Sequence, residues 1–376
     1  MAATRSAEVL NRRALNRALL ARQMLLRRWK MTPLKALEKL VGMQAQAPDP
    51  PYIGLWTRLQ NFQQAELGKL LISRRAVRIS LLRATLHLVS AADCLQLRPL
   101  LQSVVQRSLA NNIHARELAG LDMPALLAAG RQLLEYGPGP LTHAELGPLL
   151  QRQWPAVEAA ALARAMSTLP LVQVPPRGLW ATPGPAAHTT AEAWLGQALS
   201  PAGSLPGLLL RYLAAFGPAS VADMQAWSGL NGLAAVVQDL RGQLRSFRDE
   251  QGVELLDLPH APRPAPDILA PARFLPEYDN ILLAHADRRR IISDADRQRV
   301  VMRNGIILGT ILVDGLVHGS WKIVQEKGRT RLQIQAFRPL SQPQQDELAL
   351  EGSGLLDFAG AARLGREIEF LRPAGG

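Results

Sequence analysis

In the N-terminal part, leucines recur at helical intervals, whereas apolar and polar residues alternate in the stretches 76–82 and 85–89. Thr32 and Pro33 supply an N-cap and a proline at the first helical position, which marks where the second helix begins. The pattern predicts helices over 8–30, 33–43, a segment ending near 61 and 66–73, then hairpin strands over 76–82 and 85–89. Helices followed by a β-hairpin are typical of a winged helix.

This order of elements recurs twice further along the chain. Thr142 and Glu145 have capping-box spacing and begin a helix, which is followed by a helix over 156–168 and a strand–turn–strand segment over 171–180. A third round occupies 208–257 and closes with a strand. The recurrence is one of pattern rather than of residue identity.

Strand signals dominate after a proline-rich connector over 259–271. Asn304-Gly305 and Asp314-Gly315 are dipeptides that favour tight hairpin turns. Strands are predicted over 306–313, 316–325 and 330–337. We expect them to form a small antiparallel barrel or a curled sheet, with a helix over 341–370 packed against it.

These elements indicate a mainly α fold with β wings, of the α+β class: three tandem winged-helix modules and a small C-terminal antiparallel β-barrel. A chain of 376 residues, of which 48% are hydrophobic, is long enough to bury several cores. The predicted boundaries are 1–120, 121–200 and 201–262 for the three modules, and 263–376 for the linker, the barrel and the terminal helix.

The net charge of +12 comes mostly from arginine and favours a polyanionic partner, of which nucleic acid is the commonest. The first predicted helix contains many basic residues, opposed only by Glu8. Its basic face is either a contact for phosphate groups or an ordinary solvated surface.

No feature of the sequence indicates a cofactor. Cys94 is the only cysteine, so neither an internal disulfide nor a cysteine-rich zinc site can form. The histidines lack metal-ligand spacing, and no Walker or dinucleotide-binding glycine motif occurs. No apolar run reaches the roughly 20 residues that span a bilayer, and no signal-peptide pattern is present, so we expect a soluble cytoplasmic protein. The lack of a heptad or an obvious dimer helix favours a monomer.

Four segments resemble the AlkZ/YcaQ-type winged-helix DNA glycosylases and follow the order of that family. They are LVGMQAQAPDPPY at 40–52, LRATLHLV at 82–89, RYLAAFGPA at 211–219 and RFLPEYDN at 273–280. The resemblance implies three winged helices lining a positively charged channel, and monofunctional glycosylase activity on N7-alkylguanines in duplex DNA, including interstrand crosslinks. It also implies a β-hairpin that reaches the minor groove, for which the hairpins at Asn304-Gly305 and Asp314-Gly315 are both candidates.

The resemblance places Gln44 and Gln46 at the reaction centre. One branch of the family carries Gln-x-Gln and is associated with self-resistance to genotoxins, and the other carries Gln-x-Asp. Gln44-Ala45-Gln46 matches the first branch. Because Pro48 ends the preceding helix, the two glutamines are expected in extended backbone, where residues two apart share a face and two amides could hold a water near C1′.

Two weak catalytic groups suit this substrate. Alkylation at N7 leaves guanine cationic, so the base departs neutral without being protonated, and orientation and electrostatics can supply most of the rate. The sequence shows no obvious lysine nucleophile near the motif, which disfavours a Schiff-base lyase step, although lysines distant in sequence could approach in the fold.

A second set of residues is predicted to bind DNA. Thr85 and His87 are two apart on a predicted wing strand and either face the channel or, in the case of the histidine, pack against backbone. Basic residues near that strand and in the densest basic cluster are the expected phosphate ligands: Arg74, Arg75, Arg78, Arg83, Arg288 and Arg289.

The expected partner is therefore duplex DNA carrying an alkylated guanine, with no membrane involved. A non-catalytic winged-helix regulator explains the charge and the modules equally well, but gives no reason for Gln-x-Gln at the catalytic position of the family. A protein that sequesters a toxin is a third interpretation, and it requires no charge of this size.

Overall fold

The computed structural model describes residues 8–200, 203–326, 328–360 and 365–371, which form a mixed α+β fold. Its α-helices are α1 Arg12–Arg22, α2 Pro33–Leu40, α3 Pro50–Trp56, α4 Gln64–Ile72, α5 Ala91–Leu100, α6 Gln102–Ala110, α7 Met123–Tyr136, α8 His143–Gln151, α9 Ala159–Ala165, α10 Ala191–Leu195, α11 Leu205–Phe216, α12 Val221–Ser228, α13 Ala234–Leu240, α14 Asp294–Val300 and α15 Gln342–Phe358.

The strands of the described residues pair into three sheets. They are β1 Glu8–Val9, β2 Met43–Gln44, β3 Ala76–Ser80, β4 Leu86–Ser90, β5 Leu141–Thr142, β6 Leu171–Gln173, β7 Ala187–Thr190, β8 Arg245–Arg248, β9 Glu254–Asp257, β10 Arg273–Leu275, β11 Thr310–Val313, β12 Leu316–Glu326, β13 Arg329–Ala336 and β14 Arg366–Leu371. The sheet orders are β1-β8-β9, β2-β4-β3-β6-β7-β5 and β10-β11-β12-β13-β14.

Helices precede an antiparallel hairpin in three successive segments, as the hydrophobic pattern predicts. The hairpins are β3–β4, β6–β7 and β8–β9. Two predicted helix starts are confirmed in detail, because Thr32 accepts a hydrogen bond from the backbone of Lys35 and Thr142 forms a capping box with Glu145. The division into three winged-helix modules with the stated boundaries stays a prediction.

The first two hairpins share one six-stranded sheet. Strand β3 pairs with β6 through Arg78 opposite Gln173 and Ile79 opposite Val172. The largest apolar core lies against this sheet and collects buried side chains from the N-terminal segment, from α11 and α12, and from the residues after the connector. The strand that carries Gln44 is therefore the edge of a sheet anchored in the main core.

The second predicted hairpin is wrong in its return strand. Strand β6 pairs with β7 at Ala187–Thr190, not with residues directly after 174. Pro175 and Pro176 have no N–H to donate to a strand ladder, which is why the chain makes a longer loop before it returns.

The C-terminal region also differs from the prediction. Strands β10 and β14 are the two edges of an open five-stranded sheet rather than members of a closed barrel, and β14 runs parallel to β13. The predicted helix over 341–370 ends at Phe358. Residues 361–364 of that prediction lie outside the described residues. The alternation of charged and apolar residues over 367–370 is a strand pattern, and the structure follows it.

The predicted N-terminal helix over 8–30 is shorter than expected, and two of its arginines are buried, whereas Arg12, Arg13 and Arg27 remain exposed. Helix α1 spans Arg12–Arg22. Arg17 and Arg22 are each 1% exposed, and they pair with Asp314 and Asp257. Both guanidinium groups fasten α1 to later parts of the chain.

No helix in the described part of the chain combines the length and the apolar character needed to cross a bilayer.

Candidate active site

The turn between α2 and β2 sets the position of Gln44. Helix α2 ends at Val41 in a left-handed conformation, and Gly42 follows with φ of 85°. A Cβ on Gly42 would stand 2.5 Å from Cγ1 of Val89 and 3.0 Å from the carbonyl oxygen of Leu88, so only glycine fits. The chain then enters β2, where Gln44 lies opposite His87 of β4. The predicted extended backbone at Gln44 is confirmed.

Both glutamine amides are oriented by groups that can only donate hydrogen bonds. Nη2 of Arg83 donates to Oε1 of Gln44 at 2.9 Å, and the backbone N–H of Leu86 donates to Oε1 of Gln46 at 2.9 Å. Since an arginine Nη2 and a backbone N–H can only donate, the atom of each glutamine amide that faces its partner must be the carbonyl oxygen. The Nε2 groups make no hydrogen bond to any described residue, so the pair presents N–H donors outward.

The two glutamines differ in exposure. Gln44 is 7% exposed and lines a cleft, whereas Gln46 is exposed and is not part of the cleft lining. The amide of Gln44 thus lies in the cleft, and that of Gln46 is at the surface.

Arg83 is the centre of a network around Gln44. It adopts φ of 55°, and its Nη1 donates to the carbonyl oxygen of Trp227 at 2.6 Å. Its Nη2 also lies 3.4 Å from Oδ1 of Asn280. Burial, with a smaller effect from the charge of Arg288, lowers the pKa of Arg83 to about 10. The group stays cationic at neutral pH and holds the Gln44 carbonyl.

Arg78 supports the motif from the opposite side. It is 2% exposed, and its Nη2 donates to the carbonyl oxygen of Ala45 at 2.7 Å. Burial, followed by repulsion from Arg177, lowers the pKa of Arg78 to about 10. The predicted phosphate contact does not fit this burial, because the guanidinium is directed at the backbone between the two glutamines.

The segment 276–280 forms the other wall of the cleft, which is narrow and has room for about one water molecule. Tyr278 has φ of 59°, a conformation that a bulky residue rarely adopts and that marks functional sites. Asn280 donates from Nδ2 to the carbonyl oxygen of Gly42 at 3.2 Å, and Asp279 forms a buried ion pair with Arg58 at 2.8 Å. These contacts fix the segment against the turn that carries Gln44.

The predicted pair Thr85 and His87 is next to the motif but is not exposed in the way a DNA contact requires. His87 is fully buried, and its Nδ1 lies 2.9 Å from the carbonyl oxygen of Thr85. Since a carbonyl can only accept, Nδ1 carries the proton and Nε2 keeps a lone pair, which has no partner among described residues. Burial, and secondarily Arg83, lowers the pKa of His87 to about 3, so the ring is neutral. Thr85 is half-buried and donates from Oγ1 to Leu82.

The remaining predicted arginines lie at two places. Arg74 and Arg75 are exposed before β3 begins, and the guanidinium of Arg74 stacks over Trp194 at 4.1 Å. Arg288 is half-buried and close enough to Arg83 to lower its pKa, whereas Arg289 is engaged by Asp287 at 2.7 Å. Of the six predicted arginines, Arg78 and Arg83 contact the Gln-Ala-Gln segment, and Arg288 lies near Arg83.

Three cleft residues escaped prediction as site residues: Arg58, Glu277 and Asn280. The signal for the last two was the segment 273–280, which was recognised for its resemblance but not for its chemistry. Arg58 lies just beyond the apolar helix α3, and an arginine beside such a helix was the available sign of a buried ion pair.

The described residues contain no cluster of three or more histidine, cysteine, aspartate or glutamate side chains that could hold a metal ion.

The cleft occurs in a chain with recognisable relatives. The profile of one family, described as DNA glycosylase AlkZ-like, matches residues 37–358. Among solved structures, the DNA glycosylase AlkZ of Streptomyces sahachiroi is similar in fold, with a TM-score of 0.77 and 19% sequence identity, over 96% of this chain and 100% of that one. No curated protein matches the chain in sequence. Since the matched residues include both walls of the cleft, from Gln44 to Asn280, the chain belongs to the AlkZ-like DNA glycosylase family.

Proposed function

We propose that the protein is a monofunctional DNA glycosylase that hydrolyses the N-glycosidic bond of N7-alkylguanine in duplex DNA. The observation that carries this proposal is the orientation of the two amides. Their carbonyl oxygens are occupied by Arg83 and by the backbone of Leu86, so Gln44 and Gln46 offer N–H donors and no strong acid.

A cleft of this chemistry suits a base that leaves without help. N7-alkylated guanine is already cationic, so the electron pair of the C1′–N9 bond neutralises it on departure and no general acid is needed. An N–H of Gln44 can bind one lone pair of a water and leave the other for attack on C1′, which is a gain in orientation rather than in basicity. The exposed Gln46 is available to an acceptor on the DNA itself.

The same geometry favours bulky lesions, and we include interstrand crosslinks among the substrates. The cleft has room for about one water molecule and Gln46 lies outside its lining, so the alkylated base would stay outside the cleft and the adduct on N7 need not be enclosed. A protein that repairs such lesions would give its host resistance to a genotoxin that forms them. The DNA would be bound by a monomer, through phosphate contacts that include Arg75 and Arg288.

The test is base release from duplex oligonucleotides that carry one defined N7-alkylguanine, with methyl, bulky and crosslinked adducts compared. Wild type, Gln44→Ala and Gln46→Ala are measured beside Gln153→Ala, an exposed glutamine distant in sequence from the motif. We expect wild type and Gln153→Ala to leave abasic sites, and the two motif variants to bind DNA but release roughly 100-fold less base. Binding without base release from any adduct by wild type would instead support a non-catalytic regulator.

A further inference from the structure

We propose that Glu277 is the group that accepts the proton of the attacking water, and is therefore a third catalytic residue beside Gln44 and Gln46. This inference rests on the proposed function and adds the acceptor that the two amides do not provide.

The amides cannot take this proton. A neutral amide accepts only through its oxygen, which is a very weak base, and one lone pair of each oxygen is already engaged, by Arg83 in Gln44 and by the N–H of Leu86 in Gln46. The NH₂ group of each amide can hold a water oxygen but cannot remove a proton from it.

The other acceptors near Gln44 are also excluded. Asp279 is 4% exposed, and its Oδ1 accepts from Arg58 at 2.8 Å and from the N–H of Ile281 at 3.1 Å. Its Oδ2 is fully buried. Nε2 of His87 has a free lone pair but is likewise fully buried, so water does not reach it. Asn280 already shares its oxygen with Arg83.

Glu277 meets the requirement. It lines the same cleft as Gln44, on the wall formed by the rigid segment from Pro276 to Asn280. The residue is exposed, and its carboxylate makes no hydrogen bond or ion pair to any residue that the structure describes. The neighbouring residue Tyr278 has an unusual positive φ of 59°.

Enclosure by the cleft also changes the acidity of this carboxyl. Desolvation raises the pKa of Glu277 above its ordinary value of 4.5. The other charged groups lining the cleft, Arg58 and Asp279, pair with each other and leave Glu277 as the uncompensated charge. A carboxylate with a raised pKa is a better proton acceptor in its ionised form.

A lone pair of the water oxygen forms the bond to C1′, and the C1′–N9 bond breaks with its electron pair going to the alkylated guanine, which loses its positive charge. One proton of the water passes to the carboxylate of Glu277. The products are an abasic sugar with a C1′ hydroxyl, a neutral alkylguanine and a protonated Glu277, which returns the proton to solvent. The carboxylate also faces the cationic sugar that develops during the reaction and stabilises it.

The experiment measures single-turnover base release with the full chain in excess over an N7-methylguanine duplex, from pH 4.5 to 8, with the spontaneous loss without enzyme subtracted. The variants are Glu277→Gln and, as a matched control, Glu158→Gln, an exposed glutamate whose side chain makes no helix-capping contact. Duplex affinity is measured in parallel. Addition of formate to Glu277→Ala tests whether a small carboxylate replaces the missing one.

We expect Glu277→Gln to lower the rate by about 100-fold or more while the affinity for DNA is unchanged or slightly higher, since a negative charge near phosphate is removed. The wild-type rate should rise with pH and reach a plateau, and this rise should be absent from Glu277→Gln. Formate should restore part of the rate of Glu277→Ala. Unchanged base release by Glu277→Gln, or a parallel loss of affinity, overturns the role of Glu277 alone. No base release by wild type overturns the proposed function, and this inference with it.

Discussion

The buried ion pair between Arg58 and Asp279 holds one wall of the cleft, and replacing Arg58 by methionine should show how much the pair contributes to the free energy of unfolding. Both side chains are 1% exposed, and Nη2 lies 2.8 Å from Oδ1. Nε of Arg58 and Oδ2 of Asp279 have no partner among the described residues. The hydrogen-bonding capacity of the pair is therefore only partly used, and its main energetic effect is to avoid an isolated buried charge.

Arg58→Met leaves the carboxylate of Asp279 buried without its cation, which costs about 3–5 kcal/mol of the free energy of unfolding. With an unfolding entropy of about 2 cal/mol/K per residue, this corresponds to a fall in Tm of roughly 4–6 °C for a chain of this length. Replacing Asp279 by asparagine in the same protein removes the unpaired charge. The double variant should regain about 1–3 kcal/mol relative to Arg58→Met.

Urea denaturation followed by tryptophan fluorescence measures these differences, with the two single variants and the double variant forming a cycle. Arg241→Met is the control, because Arg241 and Glu254 form an ion pair in which both side chains are 42% exposed. Its loss should cost less than about 1 kcal/mol. A cost for Arg58→Met no larger than that of the control, or a double variant as unstable as the sum of its singles, would refute the reasoning.

Three further outcomes are expected. The slope of the logarithm of DNA affinity against the logarithm of salt concentration should fall by about 1 for Arg75→Ala and again for Arg288→Ala, measured by fluorescence anisotropy; an unchanged slope would place those side chains away from phosphate. Gly319→Ala should destabilise the protein by about 1–3 kcal/mol in thermal unfolding, because its Cβ would lie 2.5 Å from the backbone oxygen of Gln335. His87 should show no NMR titration between pH 5 and 8, since burial lowers its pKa to about 3. Its contribution to stability should increase as pH rises from about 3 towards 6.5, because in that range the unfolded chain binds the proton and the folded chain does not. A midpoint near 6.5 would contradict the buried neutral ring.

Local signals in the sequence predict the elements of the fold well where one residue type fixes the geometry. Thr32 with Pro33, the capping box at Thr142, and the turn at Asp314 all occur as predicted. These features depend on contacts within a few residues, which a single sequence contains. The open C-terminal sheet was missed because its parallel strand β14 is added after a helix, by a pairing remote in sequence.

The candidate site shows the same division. Gln44 and Gln46 were identified from the resemblance of their segment, and the extended backbone at Gln44 follows from the residues around it. The occupation of both carbonyl oxygens was not predictable, because Arg83 is held by Trp227 and Asn280, which are far away in the chain. Arg78 is predicted to bind phosphate from its place beside the wing strand, whereas tertiary packing directs it inward to the Ala45 carbonyl.

The six-stranded sheet has a consequence for how the protein can be divided. A fragment that ended at residue 120 would contain β3 but not β6, so β3 would have a bare edge where Arg78 and Ile79 normally pair with Gln173 and Val172. Unpaired strand edges recruit other chains. Such a fragment, although it holds the whole Gln-Ala-Gln motif, should aggregate during expression, and co-expression with residues 121–200 should suppress that aggregation by covering the edge.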